Sequence, residues 1–390
     1  DVTDVAALGL KQTGMVTSAL FTDVDNDGQS DLLVAHEWGP VKYYHNSSGK
    51  FTDQTEAAGL AELTGWWNSL ASADFDLDGD LDYVVGNFGH NTKYHASAGF
   101  PTLLYYGDFE KSGTPQIIEA EFEDETLYPV RGRSCSTNAM PHLANKFSSY
   151  HDWGMAPLQN IYEEKSLTDS LRLAATTLDS GVLINDGGKF TFQPLPHIAQ
   201  IAPIFGVVTQ ELDGDGIPDL YVVQNFYGPQ VETGHMDGGV SLLLKGNGDG
   251  SFAPINPRDS GLIVPRDAKS LVVTDLNNDA RPDFLIGRNN DTMIAYENHT
   301  NAGKILNVTL QGPAKNPTAI GAQVQVKLAN GKTQTAEMSG GSGYLSQSTS
   351  TLAFGLGKAN APTSITVRWP DGTSKDYTTG LDLPKVTLKP

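Results

Sequence analysis

Short apolar runs alternate with acidic turns along the first three-quarters of the chain. SALF, SLASA, GVV and SLVV each lead into a turn, and LLVAHE, YVVGN, LYVVQN and FLIGRN each lead out of one. Runs this short, rich in β-branched residues and bounded by Asp, Asn and Gly, read as strands. Each unit is therefore predicted to be a hairpin, strand–acidic loop–strand. A second hairpin signal recurs out of phase: YYHNSSGKFTDQTEAAGL at 43–60, LINDGGKFTFQPL at 183–195 and LLKGNGDGSFAPI at 243–255. Each has an Asn/Asp/Gly turn between strand-like runs. An acidic-loop hairpin inside and one of these outside make a four-stranded propeller blade. The acidic loops start at 23, 74, 108, 211 and 275, and the long gap before 211 predicts a blade without an acidic loop, with LINDGGKFTF as its outer half. Six blades are countable. A seventh, closed by N-terminal residues meeting the last strands, is expected.

Two stretches interrupt the pattern, 86–106 and 126–176. Within the second, Leu158, Ile161, Leu167, Leu171 and Ala174 recur at roughly helical spacing, and Pro157 suits a first turn. This predicts one substantial helix over Pro157–Ala175. Beyond Asn298 the acidic loops stop. ILNVTLQG, AQVQVKLA, TQTAEM, TLAFGLG, SITVRWP, SKDYTT and KVTLKP read as strands, with Asn330-Gly331 and Asp371-Gly372 as hairpin turns. The predicted fold is all-β: a seven-bladed propeller over 1–298 and a small β-sandwich over 299–390. Ser339–Ser350 is Gly/Ser-rich yet carries Tyr344 and Leu345 at its centre. Apolar residues at a loop tip need a buried place, so this loop is expected to enter the propeller's central channel.

The turns carry the chemistry. DVDNDGQSD (Asp23–Asp31), DFDLDGDLD (Asp74–Asp82), ELDGDGIPD (Glu211–Asp219) and DLNNDARPD (Asp275–Asp283) place oxygen-bearing side chains at positions one, three, five and nine. Three of the four have Gly at position six. A worn copy, DFEKSGTPQ, spans Asp108–Gln116. Alternating oxygen ligands closing on one point, with Gly at the sharp turn, is how a chain wraps a hard cation such as Ca²⁺. An Asp/Gly turn without an ion would explain one such loop but not the repeated spacing. These are not EF-hands. The twelfth positions are Val34, Val85, Val222 and Ile286, where an EF-hand needs a bidentate Glu between two helices.

Composition sharpens this picture. The formal charge is −20, and the five loops hold eighteen of the 46 acids. Five bound Ca²⁺ ions would halve that charge. No basic stripe exists to neutralise phosphates, which argues against nucleic acid as a partner. No run reaches the roughly 18 apolar residues of a membrane helix. The start inside DVTDVAALGL fits a processed, secreted chain. Cys135 is alone and reads as a small buried apolar residue.

The repeats resemble the FG-GAP/VCBS type of integrin α-subunit propellers. GAQVQVKL…GGSGYLSQSTSTLAFGLG…SITVRWPDG resembles the ASPIC/UnbV domain. Together they resemble the cartilage acidic protein family, and GWWNSLASADFDLDGDLDYVVGNFGHNTKY resembles its bacterial branch. The resemblance implies a secreted, Ca²⁺-binding propeller on a transthyretin-like sandwich; the chain is expected to be extracellular or periplasmic and monomeric. Its partner would be an extracellular protein or glycan, in an interaction or adhesion role. It implies three to five Ca²⁺ ions held by Asp23, Asp25, Asp27 and Asp31; by Asp74, Asp76, Asp78 and Asp82; by Glu211, Asp213, Asp215 and Asp219; and by Asp275, Asn277, Asp279 and Asp283. Backbone carbonyls of Gln29, Asp80, Ile217 and Arg281 would complete the sets. Ala280 and Asn277 weaken the last site. Asp108 and Glu110 alone remain in the worn loop, which is either empty or suited to a monovalent cation.

The competing function is an enzyme, of lyase, hydrolase or isomerase type, acting on a carbohydrate or small metabolite at a propeller face. Arg131, Arg133, His151 and His235 are its candidates, with His142, Asp152 and His197 nearby, since Arg clamps anions and His serves acid–base chemistry. No Ser-His-Asp order, HExxH or nucleotide fingerprint accompanies them. Arg131 and Arg133, two apart on a strand, would point the same way. In so acidic a chain they are expected to pair with Glu121, Glu123, Asp124 or backbone carbonyls. Trp66 and Trp67 offer a sugar-stacking surface or, equally, core packing.

Overall fold

A computed structural model describes residues 1–231, 233–300, 303–341, 343–357, 361–378, 380–381 and 384–390. Every acidic loop joins two antiparallel strands. Met15–Thr22 pairs with Asp31–Pro40, Ser69–Ala73 with Asp82–Gly86, Ile204–Gln210 with Asp219–Gln224, and Ala268–Thr274 with Asp283–Arg288. An outer hairpin continues three of these sheets. Lys42–Ser47 and Lys50–Asp53 extend the first, Gly181–Asp186 and Lys189–Pro194 the second, Leu242–Gly246 and Phe252–Ile255 the third. Ile294–Tyr296 extends the fourth.

Successive sheets stack through their faces. Side chains alternate across a strand, so Tyr83 and Val85 join Leu20, Leu33 and Trp67 between the first and second sheets. Val84 instead faces Val207, Leu220 and Val222 between the second and third. Val208, Tyr221 and Val223 face Leu271 and Phe284 between the third and fourth.

Among the described residues five sheets stand over 1–298 where seven blades are expected: these four and the sheet that holds the worn loop. A hairpin signal is local, whereas the sheet it joins is decided by distant pairing. LINDGGKFTF is not half of a separate blade. Val182 pairs with Val84, so this hairpin completes the second sheet, and residues 87–180 loop out between that sheet's second and third strands. The N-terminal residues form the helical turns Thr3–Ala6 and Leu8–Leu10, not a closing strand.

The excursion has its own sheet, ordered Thr126–Pro129, Gln116–Glu123, Thr102–Gly107, Leu171–Ala175. The worn loop joins its two central strands. Its core packs Leu103, Ile118, Trp153, Ile161 and Tyr162. The single helix expected over 157–175 is broken. Leu158–Ile161 is helical, Tyr162 and Glu163 are extended, Glu164–Asp169 is helical again, and Leu171–Ala175 is a strand on Thr102–Gly107. Pairing of Leu173 with Leu104 captures what helical spacing alone assigned to a third turn. Further short helices at Arg133–Ala139, His142–Lys146 and Tyr150–Gly154 have no counterpart in the sequence reading.

All seven C-terminal runs are strands. Lys304–Leu310 pairs with Leu352–Gly357 and, in parallel, with Lys385–Leu388. Gln323–Leu328 pairs with Thr333–Glu337 and Pro362–Arg368, which pairs with Ser374–Tyr377. Both sheets contribute to one core of Leu306, Val308, Val324, Val326, Phe354, Ile365 and Val367. This unit lies against the acidic loops. Gln323 donates to Asn26 (3.0 Å), Asn307 to the Ala280 carbonyl (2.6 Å), and the Gly357 amide to Gly214 (2.7 Å).

The Gly/Ser-rich loop runs between the first strands of the sheets. The Gly343 amide donates to Leu70 (3.0 Å), the Ser18 hydroxyl to Gly343 (3.4 Å), and the Thr349 amide to Val273 (3.0 Å). Tyr344 is half-buried edge-on against Phe205, with centroids 5.1 Å apart, whereas Leu345 is 86% exposed. The aromatic ring, not the leucine, supplies the apolar anchor.

Candidate metal centre

The loops share one backbone frame. Position four has positive φ at Asn26 (58°), Leu77 (63°), Lys111 (57°), Gly214 (81°) and Asn278 (63°). Position six has it at Gly28 (92°), Gly79 (104°), Gly113 (84°), Gly216 (95°) and Ala280 (73°). Only the left-handed region closes so sharp a turn, which is why Gly recurs there. Within the frame the acids at positions three and five accept the amide two residues on: Asp25 from Asp27 (3.2 Å), Asp27 from Gln29 (2.7 Å), Asp76 from Asp78 (3.3 Å) and Asp78 from Asp80 (2.9 Å). Asp213, Asp215, Asn277 and Asp279 repeat this. At position seven the amides of Gln29, Asp80, Ile217 and Arg281 are the donors in these bonds.

The ninth residue, expected as a ligand, is a staple of the loop. Asp31, Asp82, Asp219 and Asp283 are buried, and each accepts the amide of position two: Val24, Phe75, Leu212 and Leu276, at 3.2, 3.0, 3.3 and 2.7 Å. Their other oxygen accepts an amide from the neighbouring strand at Asn46, Asn185 and Gly246, or from two residues beyond it at Asn298. The sequence reading missed this second role.

Three loops bring acids together with ligand atoms within 4.8 Å of one another: Asp23, Asp25 and Asp31; Asp74, Asp76 and Asp78; Glu211, Asp213 and Asp219. Asp25 and Asp27 also group with His45. The second loop fits a divalent cation best. Asp74 is 1% exposed, and neither of its carboxylate oxygens has a well-formed hydrogen bond. Burial pushes it up to about 7, and the nearby Gly79 and Leu77 amides offset only part of that. A buried carboxylate without a partner is costly, and a cation between Asp74, Asp76 and Asp78 supplies one. In the first loop one oxygen of Asp23 is similarly unpartnered.

Basic side chains enter the other loops. Arg368 bonds the second oxygen of Asp23, Lys245 bonds Asp213 and lies 2.7 Å from Asp215, and Lys385 lies 2.6 Å from Asp275. His45 lies 3.2 Å from Asp25 and 3.3 Å from Asp31. None was singled out from sequence, because each reaches its loop through sheet pairing or across the C-terminal unit. In the worn loop, Asp108 is exposed and accepts the Ser112 and Gly113 amides (2.9 and 2.7 Å), while Glu110 contacts His142 at 3.2 Å.

The enzyme candidates are engaged separately. Arg131 pairs with Glu119 (3.3 Å), one strand-face step before the expected Glu121. Arg133 donates to the Phe147 carbonyl (2.7 Å) and lies over the Tyr150 ring. The two do not share a strand, since Arg131 follows Thr126–Pro129 and Arg133 opens a helix. His151 and His197 are exposed, His235 stacks on Tyr227 (4.2 Å), and Asp152 bonds Ser149 (2.7 Å). Among the described residues no hydrogen bond or ion pair joins any two of Arg131, Arg133, His151 and His235. Trp66 and Trp67 are buried, Trp66 against Trp38, Phe88 and Tyr94. Cys135 is half-buried. No helix among the described residues is long and apolar enough to cross a membrane.

Hairpins closed by acidic loops, capped by a unit of two sheets, define an all-β repeat protein. Residues 23–85 match the FG-GAP-like repeat, and residues 312–380 match ASPIC and UnbV. The chain is an FG-GAP repeat protein with a C-terminal ASPIC/UnbV domain. No curated protein matches it. Among solved structures, the V. cholerae biofilm matrix protein Bap1 aligns at 11% identity over 94% of this chain and 60% of that one, with a TM-score of 0.16. This chain thus spans about three-fifths of that protein's length, and a likeness at that score carries no argument.

Proposed function

We propose that this chain is a secreted or periplasmic Ca²⁺-binding interaction protein, of the bacterial branch of the cartilage acidic protein family. Its repeat sheets act as blades of an integrin α-like propeller, its C-terminal unit as a transthyretin-like sandwich, and its partner is an extracellular protein or glycan. The observation that carries the cation reading is Asp74, buried beside Asp76 and Asp78 with neither oxygen in a well-formed hydrogen bond. The FG-GAP-like match supports an adhesion-type role. Arg131 and Arg133, held by Glu119 and the Phe147 carbonyl, favour the interaction reading over the enzyme reading. Equilibrium dialysis against Ca²⁺ tests the reading. Asp74→Asn is expected to lower the bound ions by about one per chain. A wild-type chain that binds none would overturn it. Screening glycans and matrix proteins with and without chelator then tests whether partner binding depends on the ion.

A further inference from the structure

The residue opposite the ninth carboxylate differs in every repeat sheet, and the differences are chemical. Leu32 pairs with Tyr44, so the next step outward sets His45 opposite Asp31. By the same step Ile184 is opposite Asp82, Lys245 opposite Asp219, and Glu297 opposite Asp283. The amide bonds agree, because the donors to the ninth carboxylates are the residues immediately after these four.

At this position His45 sets its Nδ1 3.2 Å from Asp25 and 3.3 Å from Asp31. Lys245 reaches both Asp213 and Asp215. Ile184 carries no polar atom. The unfilled acceptors follow the same division. Asp23 of the first loop and Asp74 of the second are at least nine-tenths buried and keep unpartnered oxygens. In the third loop Glu211 is equally buried, but its oxygens accept the amides of Asp213, Gly214 and Gly216.

We propose that this cross-strand residue sets what each of the first three loops holds. The inference rests on the reading of the loops as cation sites. Lys245 is a tethered cation that takes the metal's place in the third loop, because an ammonium is a compact point charge with three donors. Ile184 leaves the second loop an all-oxygen cage, which suits a hard ion such as Ca²⁺. His45 gives the first loop a nitrogen donor, and imidazole beside carboxylates suits a divalent transition ion of the Zn²⁺ or Co²⁺ kind. Arg368 neutralises one oxygen of Asp23 there and leaves the other for the ion.

The test counts ions by metal analysis after equilibrium dialysis of the full chain. Lys245→Met is expected to bind about one Ca²⁺ per chain more than wild type. Lys245→Arg keeps the tethered charge and is expected to keep the wild-type count. His45→Asn is expected to keep the Ca²⁺ count and weaken Co²⁺ binding roughly tenfold or more, read from the visible spectrum. An unchanged count in Lys245→Met, with Asp74→Asn still losing an ion, overturns the proposal and leaves the cation reading standing. A gain in both Lys245 variants overturns the assignment to charge, and unchanged Co²⁺ affinity in His45→Asn overturns the nitrogen donor. A wild-type chain without Ca²⁺, and no gain in Lys245→Met, sinks the cation reading itself.

Discussion

The second acidic loop and the worn loop have the same backbone and opposite surroundings. Leu77 and Lys111 share a positive φ, as do Gly79 and Gly113. In both the second residue donates its amide to the ninth side chain, Phe75 to Asp82 (3.0 Å) and Phe109 to Gln116 (2.8 Å). Yet Asp74 is buried with unpartnered oxygens, while Asp108 is exposed with its acceptors filled. The C-terminal unit makes much of the difference. Asp74 and Leu77 line a cavity of about 120 Å³ together with Gln334, Glu337, Met338 and Ser348 of that unit. The worn loop instead belongs to the sheet of the 87–180 excursion. The frame is therefore written in amide bonds and left-handed residues, and burial adds the unpartnered acceptors on which the proposed cation site rests.

The largest effect separating the two loops is expected at the ninth position. Asp82 is fully buried and accepts two amides, from Phe75 and Asn185. Asp82→Ala leaves both without a partner and is expected to destabilise the chain by about 3 kcal/mol. Gln116→Ala strands one amide and is expected to cost about 1 kcal/mol. Urea denaturation checks the order, and equal costs would erase the distinction. Next comes the ion. Ca²⁺ at a hundredfold excess over Kd is expected to add about 2.7 kcal/mol per site. Asp74→Asn should remove that increment and Asp108→Asn should leave it, as read from melting curves with and without chelator.

This comparison also marks what was legible in the chain. The 1-3-5-9 spacing and position-six Gly were readable because loop conformation is local. The seven C-terminal strands were readable from alternation and from Asn330-Gly331 and Asp371-Gly372. The sheet joined by LINDGGKFTF was not, because the Val182–Val84 pairing spans the whole excursion. Nor were the loop-neutralising residues. Arg368 meets Asp23 from the far end of the chain, and Lys245 faces the third loop's acids only once its strand is in register. The broken helix at Tyr162 and Glu163 failed for the reverse reason, a local periodicity overruled by sheet pairing.

The cover over the second loop can be loosened without touching an acid. Gly343 has φ 75°, and a Cβ there would lie 2.9 Å from the Val207 carbonyl oxygen. Gly343→Ala therefore combines left-handed strain with a backbone clash, and about 2 kcal/mol of destabilisation is expected. Gly341 has the same φ of 75° and meets only the Gln347 side chain, at 4.0 Å, so Gly341→Ala is expected to cost about 1 kcal/mol. Calorimetry should find one transition for wild type and an earlier, separate one in Gly343→Ala. Two transitions already present in wild type would mean that the covering unit does not stabilise the sheets.

The smallest effect is the one that divides frame from ion. At Gly79 φ is 104°, and a Cβ there would meet nothing within 4 Å. The cost of Gly79→Ala is therefore conformational, about 1 kcal/mol. Gly113 in the worn loop has φ 84° and equally open space, so Gly113→Ala is expected to cost much the same. The fourth loop already carries such a residue. Ala280 sits at φ 73°, its amide bonds Asp275 (3.0 Å), and the frame is intact. If amide bonds write the frame, the cost of Gly79→Ala is the same with Ca²⁺ and with chelator, and the number of bound ions does not change. If the ion imposes the turn, the cost appears only where the ion is bound, and it vanishes in the worn loop. Melting of the two variants in both conditions distinguishes these outcomes, and a cost confined to the Ca²⁺-loaded second loop would overturn the separation of frame from site.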